Sequence, residues 1–438
     1  MLNQRIIVKT ALPFFLFVSF FITFINTYAE EGNQPLDAKA YYNRGAAHYK
    51  NGEYANAISD FDQAILLNPR DAKAYNYRGL AYNFKDEYGL AITDFTQALA
   101  LNPKYAPAYN NRGNTYRLNG DIDPAIADFT QTILLTPKES KLYLNRGLAY
   151  YQKGDYDRAI EDYTQGILLN PKDAKAYYER GNVYGQKGEY DRAITDFTQA
   201  ITLNPKYAMA YAYRGIAYDN KGDFDRAIAD LNQAILLNPK DSKVYLGRGL
   251  AYFHKGDFDL AIEDNNQSIL LNPKFAEAFN NRGRVYLEKG EYDRAITDCT
   301  QANVLNPKLP QPYRNLGEAY YQKGDYDRSI AEFNQVMLLN PKCPCSDTYI
   351  MRGCDYSKKG EYQSALADFD KAIELDKKSR GSAIYNKACV FSLMKDKQNA
   401  LSNLKEAIEI NPKFKEEAKK DEDFKTLWND EDFLKIVQ

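Results

Sequence analysis

Arginine and aspartate recur along this chain in matched pairs: Arg44 with Asp60, Arg78 with Asp94, Arg112 with Asp128, Arg146 with Asp162, Arg180 with Asp196, Arg214 with Asp230, Arg248 with Asp264 and Arg282 with Asp298. A guanidinium presents paired N–H donors to both oxygens of a carboxylate, so these residues suit bidentate ion pairing. An arginine stripe alone would suit phosphate recognition, but the matched acids neutralise it. The pairs also change together. Leu316 stands in the arginine place where Glu332 stands in the aspartate place, both return as Arg352 and Asp368, and Lys387 and Asn403 lose both. This co-variation predicts that the two side chains meet, within a structural unit or across to its neighbour, and fix the register of the units. Register rather than net stability is the expected gain, because desolvation offsets much of the attraction of a buried pair.

The remaining chemistry-bearing residues do not assemble into a catalytic motif. His48 and His254 are the two histidines and occupy unrelated positions, and no nucleophile motif or phosphate loop is present. The chain is therefore read as a non-enzyme with no cofactor and no metal. Five cysteines crowd the second half: Cys299, Cys343, Cys345, Cys354 and Cys389. Cys299 stands where other copies have a core Phe and reads as a small buried hydrophobe. The other four are read as structural thiols or as partners in a disulfide whose connectivity no spacing dictates. A zinc site is disfavoured, because no His is near and no paired CxxC occurs.

These residues need elements that place them at a fixed interval. Pro69, Pro103, Pro137, Pro171, Pro205, Pro239, Pro273, Pro307 and Pro341 recur every 34 residues, and Gly45 to Gly317 march in step. Within one copy, Tyr41, Gly45 and His48 share one face of a first helix, and Ala57, Phe61 and Ala64 one face of a second. Gly52, Gly120, Gly154 and Gly188 are placed to end the first helix with a left-handed cap. Asn68-Pro69 stops the second, because Pro disfavours helix at the residue before it. One copy reads AKAYYNRGAAHYKNGEYANAISDFDQAILLNPRD, Ala38 to Asp71. The pattern resembles the tetratricopeptide-repeat (TPR) family over residues 38–414, some eleven units. The resemblance implies an all-α solenoid of stacked 34-residue helix-turn-helix units, curled into a superhelix with first helices lining its concave side.

Along that implied groove the inward positions vary while the framework repeats. They include Tyr42, Tyr49, Asn76, Leu80, Asn110, Asn114, Arg117, Tyr151, Tyr178, Asn182, Phe253, Asn280 and Arg284. Amides can bond a peptide backbone and aromatics accept its side chains, so a protein or peptide partner is expected there. TPR units that hold chaperone C-terminal carboxylates carry Lys at a position occupied here by Tyr42, Asn76, Asn110 and Leu144. That clamp is therefore absent or altered.

The ends differ from the repeats. Arg5 and Lys9 precede the apolar run Ala11 to Ile25, followed by Thr27-Tyr28-Ala29 and two glutamates. These are the parts of an export signal over residues 1–29, cleaved after Ala29. The alternative is a membrane anchor over residues 10–28. Residues 30–37 form a short lead-in, and 415–438 are expected to form a C-terminal capping helix. Lys plus Arg total 57 against 59 for Asp plus Glu, a balance that opposes nucleic-acid binding. The sequence thus points to a protein-binding scaffold in the periplasm or outside the cell, a secreted factor acting on another cell being the alternative destination. Its less covered N-terminal end leaves room for end-to-end self-association.

Overall fold

The computed structural model describes residues 36–340 and 346–438. The expected leader, the lead-in up to residue 35, and Cys343 and Cys345 lie outside them. Between Asn204 and Pro205 the chain divides into two units. In the first, five helical hairpins follow one another: α1 (Ala38–Lys50) with α2 (Tyr54–Leu67), α3 (Ala72–Phe84) with α4 (Tyr88–Leu101), α5 (Ala106–Asn119) with α6 (Ile122–Leu135), α7 (Ser140–Lys153) with α8 (Tyr156–Leu169), and α9 (Ala174–Gln186) with α10 (Tyr190–Leu203). The second unit pairs α11 (Ala208–Asn220) with α12 (Phe224–Leu237), α13 (Ser242–Lys255) with α14 (Phe258–Leu271), and α15 (Ala276–Glu288) with α16 (Tyr292–Leu305). It goes on with α17 (Pro310–Gln322) and α18 (Tyr326–Leu339), α19 (Ser346–Lys358) and α20 (Tyr362–Leu375), and α21 (Arg380–Leu393) and α22 (Lys397–Ile410). No strand occurs among the described residues.

Local chemistry sets the hairpin. At the start of α3 the Asp71 side chain accepts hydrogen bonds from the Lys73 and Ala74 amides. The turn after α5 needs a left-handed residue, and Gly120 supplies it at φ +91°. The second helix packs against the first through a large-into-nothing fit. A Cβ on Gly79 would fall 2.9 Å from Phe95 Cε1, so the ring rests on bare backbone. Phe61, Phe95 and Phe129 are fully buried this way, with Ala57, Ala91 and Ala125 beside them. In each unit, first helices of successive hairpins touch one another while second helices make no comparable contact. The first-helix face is therefore the tighter, inner one.

The second unit keeps this frame but varies its filling: Leu231, Asn265 and Cys299 stand in the Phe place, all buried. Burial pushes the Cys299 thiol up to about 12, as expected for a packing residue rather than a nucleophile. A second departure sits between α18 and α19. Asp355, fully buried where other copies have Ala, Val or, once, Thr115, accepts a 2.7 Å hydrogen bond on Oδ2 from Ser329 Oγ. Its Oδ1 has no partner.

The C-terminal cap corrects the expectation of a single helix. It comprises α23 (Phe414–Ala418), a 3₁₀ turn (Glu422–Leu427) and α24 (Glu431–Val437). Asp421 and Asp430 each cap a fresh start by accepting from amides two or three residues on. The breaks let Phe414, Phe424 and Phe433 all bury themselves in the cluster around Tyr385 and Leu404 on the last hairpin, which one straight helix could not do.

Two outcomes follow from this packing. Gly79→Ala should destabilise by about 1–3 kcal/mol, because Phe95 must move off its rotamer. Gly89→Ala, with open space around it, should be neutral or stabilising in the same urea titration; equal effects would contradict the packing account. Burial pushes the Asp355 carboxyl up to about 7, against the Ser329 hydrogen bond. Unfolding returns such a group to ~3.9, so its contribution to stability is complete below that value and is lost as pH rises toward 7. The stability of wild type relative to Asp355→Ala should therefore fall between about pH 4 and pH 8; a difference flat with pH would contradict it.

Candidate functional site

The arginines and aspartates meet within each hairpin. Arg180 Nε donates to Asp196 Oδ2 and its Nη2 to Oδ1, both at 2.8 Å. The same fork joins Arg44 to Asp60, Arg78 to Asp94, Arg112 to Asp128 and Arg146 to Asp162 in the first unit. In the second it joins Arg214 to Asp230, Arg248 to Asp264, Arg282 to Asp298 and Arg352 to Asp368. The third nitrogen reaches the other way, to the preceding hairpin: Arg78 to Asp62, Arg112 to Thr96, Arg146 to Thr130 and Arg180 to Thr164. Arg248, Arg282 and Arg352 do the same with Asn232, Asn266 and Asn334. Both sequence alternatives thus occur in one side chain. Where the arginine is missing, Leu316 is buried, and burial pushes the Glu332 carboxyl upward. Lys387 loses the fork but keeps the backward contact, to Asp370 at 2.5 Å.

On the inner face, several residues assigned to a partner are spent on the stack itself. Asn76 is buried and accepts from Asn111, Asn110 accepts from Asn145, and buried Asn280 accepts from Asn315. Asn114 donates to the Asn110 carbonyl. Tyr178 is buried as well. Tyr42 packs edge-on against Tyr77, Tyr49 against Phe84, and Tyr151 beside Tyr156. The reason is geometric: an inward side chain of one hairpin leans over the first helix of the next, so short amides and rings reach neighbours before they reach solvent. Leu80, Arg117, Asn182 and Phe253 stay half-exposed, and Arg284 is exposed with its guanidinium 4.5 Å above the Phe253 ring. Arg117 Nε is buried without a partner, and burial lowers its pKa.

The histidines are structural: His48 Nδ1 lies 2.5 Å from Glu53 and His254 Nδ1 lies 3.0 Å from Asp219. Cys299, Cys354 and Cys389 are free thiols. Cys389 points at the cap, its Sγ 3.5 Å from Asp421 Oδ2, with Asp423 close by. Tyr385 donates to Asp421 and Lys358 to Asp423. The trio therefore ties the cap to the last two hairpins, and burial pushes the Cys389 thiol well upward. No helix among the described residues is long and apolar enough to cross a membrane.

A second ladder escaped the sequence reading. Lys153 pairs with Asp123 and Lys187 with Asp157; Lys255, Lys289 and Lys359 pair with Asp225, Asp259 and Asp327. The recurring KGxxD segments carried this signal. The aspartates are largely exposed, so these pairs add little stability.

Family models of the tetratricopeptide repeat match residues 38–71, 72–105, 95–127, 174–207, 213–270, 266–297, 310–343, 346–379 and 381–414, and a TPR-repeat model matches 147–188 and 283–324. Among solved structures, a tetratricopeptide-repeat protein from Parabacteroides merdae is 18% identical, with a TM-score of 0.50, over 57% of this chain and 98% of its own. Yeast Tom70 is 17% identical, with a TM-score of 0.46, over 92% of this chain and 99% of its own. A MamA structure is 32% identical, with a TM-score of 0.35, over 38% of this chain and 96% of its own. The first of these shows a shared fold. No curated protein matches the chain.

The fork generates a double-mutant test. Asp196→Ala strands the half-buried Arg180 guanidinium and should cost about 3 kcal/mol in urea unfolding. Arg180→Met with Asp196→Ala should cost clearly less than the two single changes added together. Simple additivity would mean that the pair is not coupled.

Proposed function

The chain belongs to the tetratricopeptide-repeat family, and from that premise we propose that it is a non-enzymatic scaffold holding an extended peptide or protein partner on the first-helix faces of its units. One observation carries the reading. Several first-helix positions differ from copy to copy and retain exposed surface, such as Leu80 and Asn182 in the first unit and Phe253 and Arg284 in the second. Framework positions repeat because packing demands them; positions that vary on an accessible inner face answer to something outside the stack. Leucine and phenylalanine there supply apolar contact, while Asn182 and Arg284 supply donors for a peptide backbone. A near-neutral charge, 57 basic against 59 acidic residues, supports a protein rather than a nucleic acid as partner.

The test is selection of displayed random peptides on the full-length protein, followed by hydrogen-exchange mapping of the bound peptides. Protection should fall on the first helices, at Leu80 and Asn182 or at Phe253 and Arg284. No enrichment, or protection confined to the second helices, would sink the proposal.

We further propose that the chain works outside the cytoplasm, on the order of charged start, apolar run and Thr27-Tyr28-Ala29 in its first residues. Intact mass and N-terminal sequencing of the native protein should give a start near Glu30. A retained Met1 in the membrane fraction would instead indicate an anchored scaffold.

A further inference from the structure

In the first unit, departures from the repeat pattern gather around one cavity. Tyr163 stands where the neighbouring hairpins have Phe129 and Phe197. Gly166 stands where they have Thr132 and Ala200, and a Cβ there would come within 2.6 Å of Leu144 Cδ2. Glu179 stands where the preceding hairpins have Asn111 and Asn145. Between α7, α8 and α9, Tyr163 and Glu179 border a cavity of ≈ 450 Å³, and Gly166 leaves room for Leu144, which also lines it; the volume is within the ~300–1,000 Å³ range of ligand sites. Leu144, Leu148 and the Tyr163 ring give it apolar walls. At the rim, Glu139 and Asp173 balance Lys141 and Lys175, so Glu179 sets the sign of charge inside.

Glu179 is only partly exposed, and among the described residues its carboxylate takes part in no hydrogen bond or ion pair, Lys175 being the charge that acts on it. This contrasts with the ladder acids, each of which accepts a guanidinium fork. A carboxylate partly withdrawn from water without a donor costs free energy that a bound cation can recover. Burial pushes the Glu179 carboxyl upward, while Lys175, one turn back, pulls it down. The Arg117 guanidinium, whose field also reaches Tyr163, does not line the cavity.

We propose that this cavity is an anchor site for one lysine or arginine side chain of the peptide partner. The aliphatic stem lies between Leu144, Leu148 and the Tyr163 ring, and the charged end meets Glu179. Long basic side chains bury their methylenes along apolar walls while the head group seeks an anion, which is the combination found here. The site rests on the proposed peptide-binding role and narrows the partner to a peptide with a basic residue at one fixed position.

The experiment is a parallel selection of displayed random peptides on the full-length wild type and on Glu179→Gln, a change that keeps the shape and removes the charge. Circular dichroism and thermal melts first establish that the variant is folded as wild type. On wild type, enriched peptides should share Lys or Arg at one position, and that preference should disappear on the variant. For a selected peptide, replacing that Lys by norleucine should weaken binding to wild type about tenfold, the loss expected for one charged hydrogen bond, and less than about twofold to the variant. Enriched peptides without a fixed basic position would overturn the anchor site and leave the groove reading standing. So would a basic preference that persists on Glu179→Gln. No enriched peptide at all would overturn the groove reading and the anchor site with it.

Discussion

Most hairpins depend on a guanidinium that faces two ways. Two of its nitrogens grip the aspartate of its own second helix, and the third reaches a polar side chain on the hairpin before it. One residue thereby sets the distance between the helices of a hairpin and the registry between hairpins. The contrast between Arg44 and the others shows what stacking does to it: Arg44 keeps 52% of its side-chain surface exposed, Arg180 only 17%. An ion pair half-removed from water gains little net energy, yet a neighbour docked out of register would cover the guanidinium without satisfying its third nitrogen. Penalty for error, rather than reward for formation, is what this interaction contributes. The aromatic of Tyr177, with its ring 5.9 Å from the Arg180 guanidinium, confines the side chain further.

The frame was legible because every constraint on it is local and repeats. A bare glycine facing Phe95, a left-handed turn at Gly120 and an Asn-Pro stop each follow from one residue type at one place, and copying the motif copies the structure. Co-variation of Arg with Asp even exposed a tertiary contact without any other sequence for comparison. The cap was legible only in part. Its apolar residues marked it as a cover, but the spacing of Phe414, Phe424 and Phe433 was compatible with one helix until Asp421 and Asp430 are seen to end and restart the chain.

The inner face shows where such reading runs out. Asn76, Asn110 and Asn280 have the composition of a peptide-binding surface, and sequence cannot say whether an amide is free or already spent. Here each is taken up by an asparagine from the next hairpin. That capture depends on the lean of side chains from one hairpin to the next, a property of the stack rather than of any segment. Histidines and cysteines are subject to the same limit: sequence alone does not show that Cys389, on the last hairpin, faces Asp421 of the cap, which also accepts from Tyr385.

Once the spent residues are removed, what remains on the inner face is sparse and uneven, and this matters for how the units could discriminate partners. A face lined throughout with available amides would hold any extended backbone, since backbone groups carry no identity. A face whose amides are mostly self-satisfied gains little from the backbone and must draw selectivity from the few side chains left over. In the first unit these include a carboxylate without a donor beside a ring that breaks the Phe pattern; in the second, Arg284 lies stacked on Phe253. Groups of this kind discriminate by sign of charge and by shape, because leaving one of them buried and unpaired is costly. The stack that consumes most of the polar inner surface therefore also makes the few exceptions decisive.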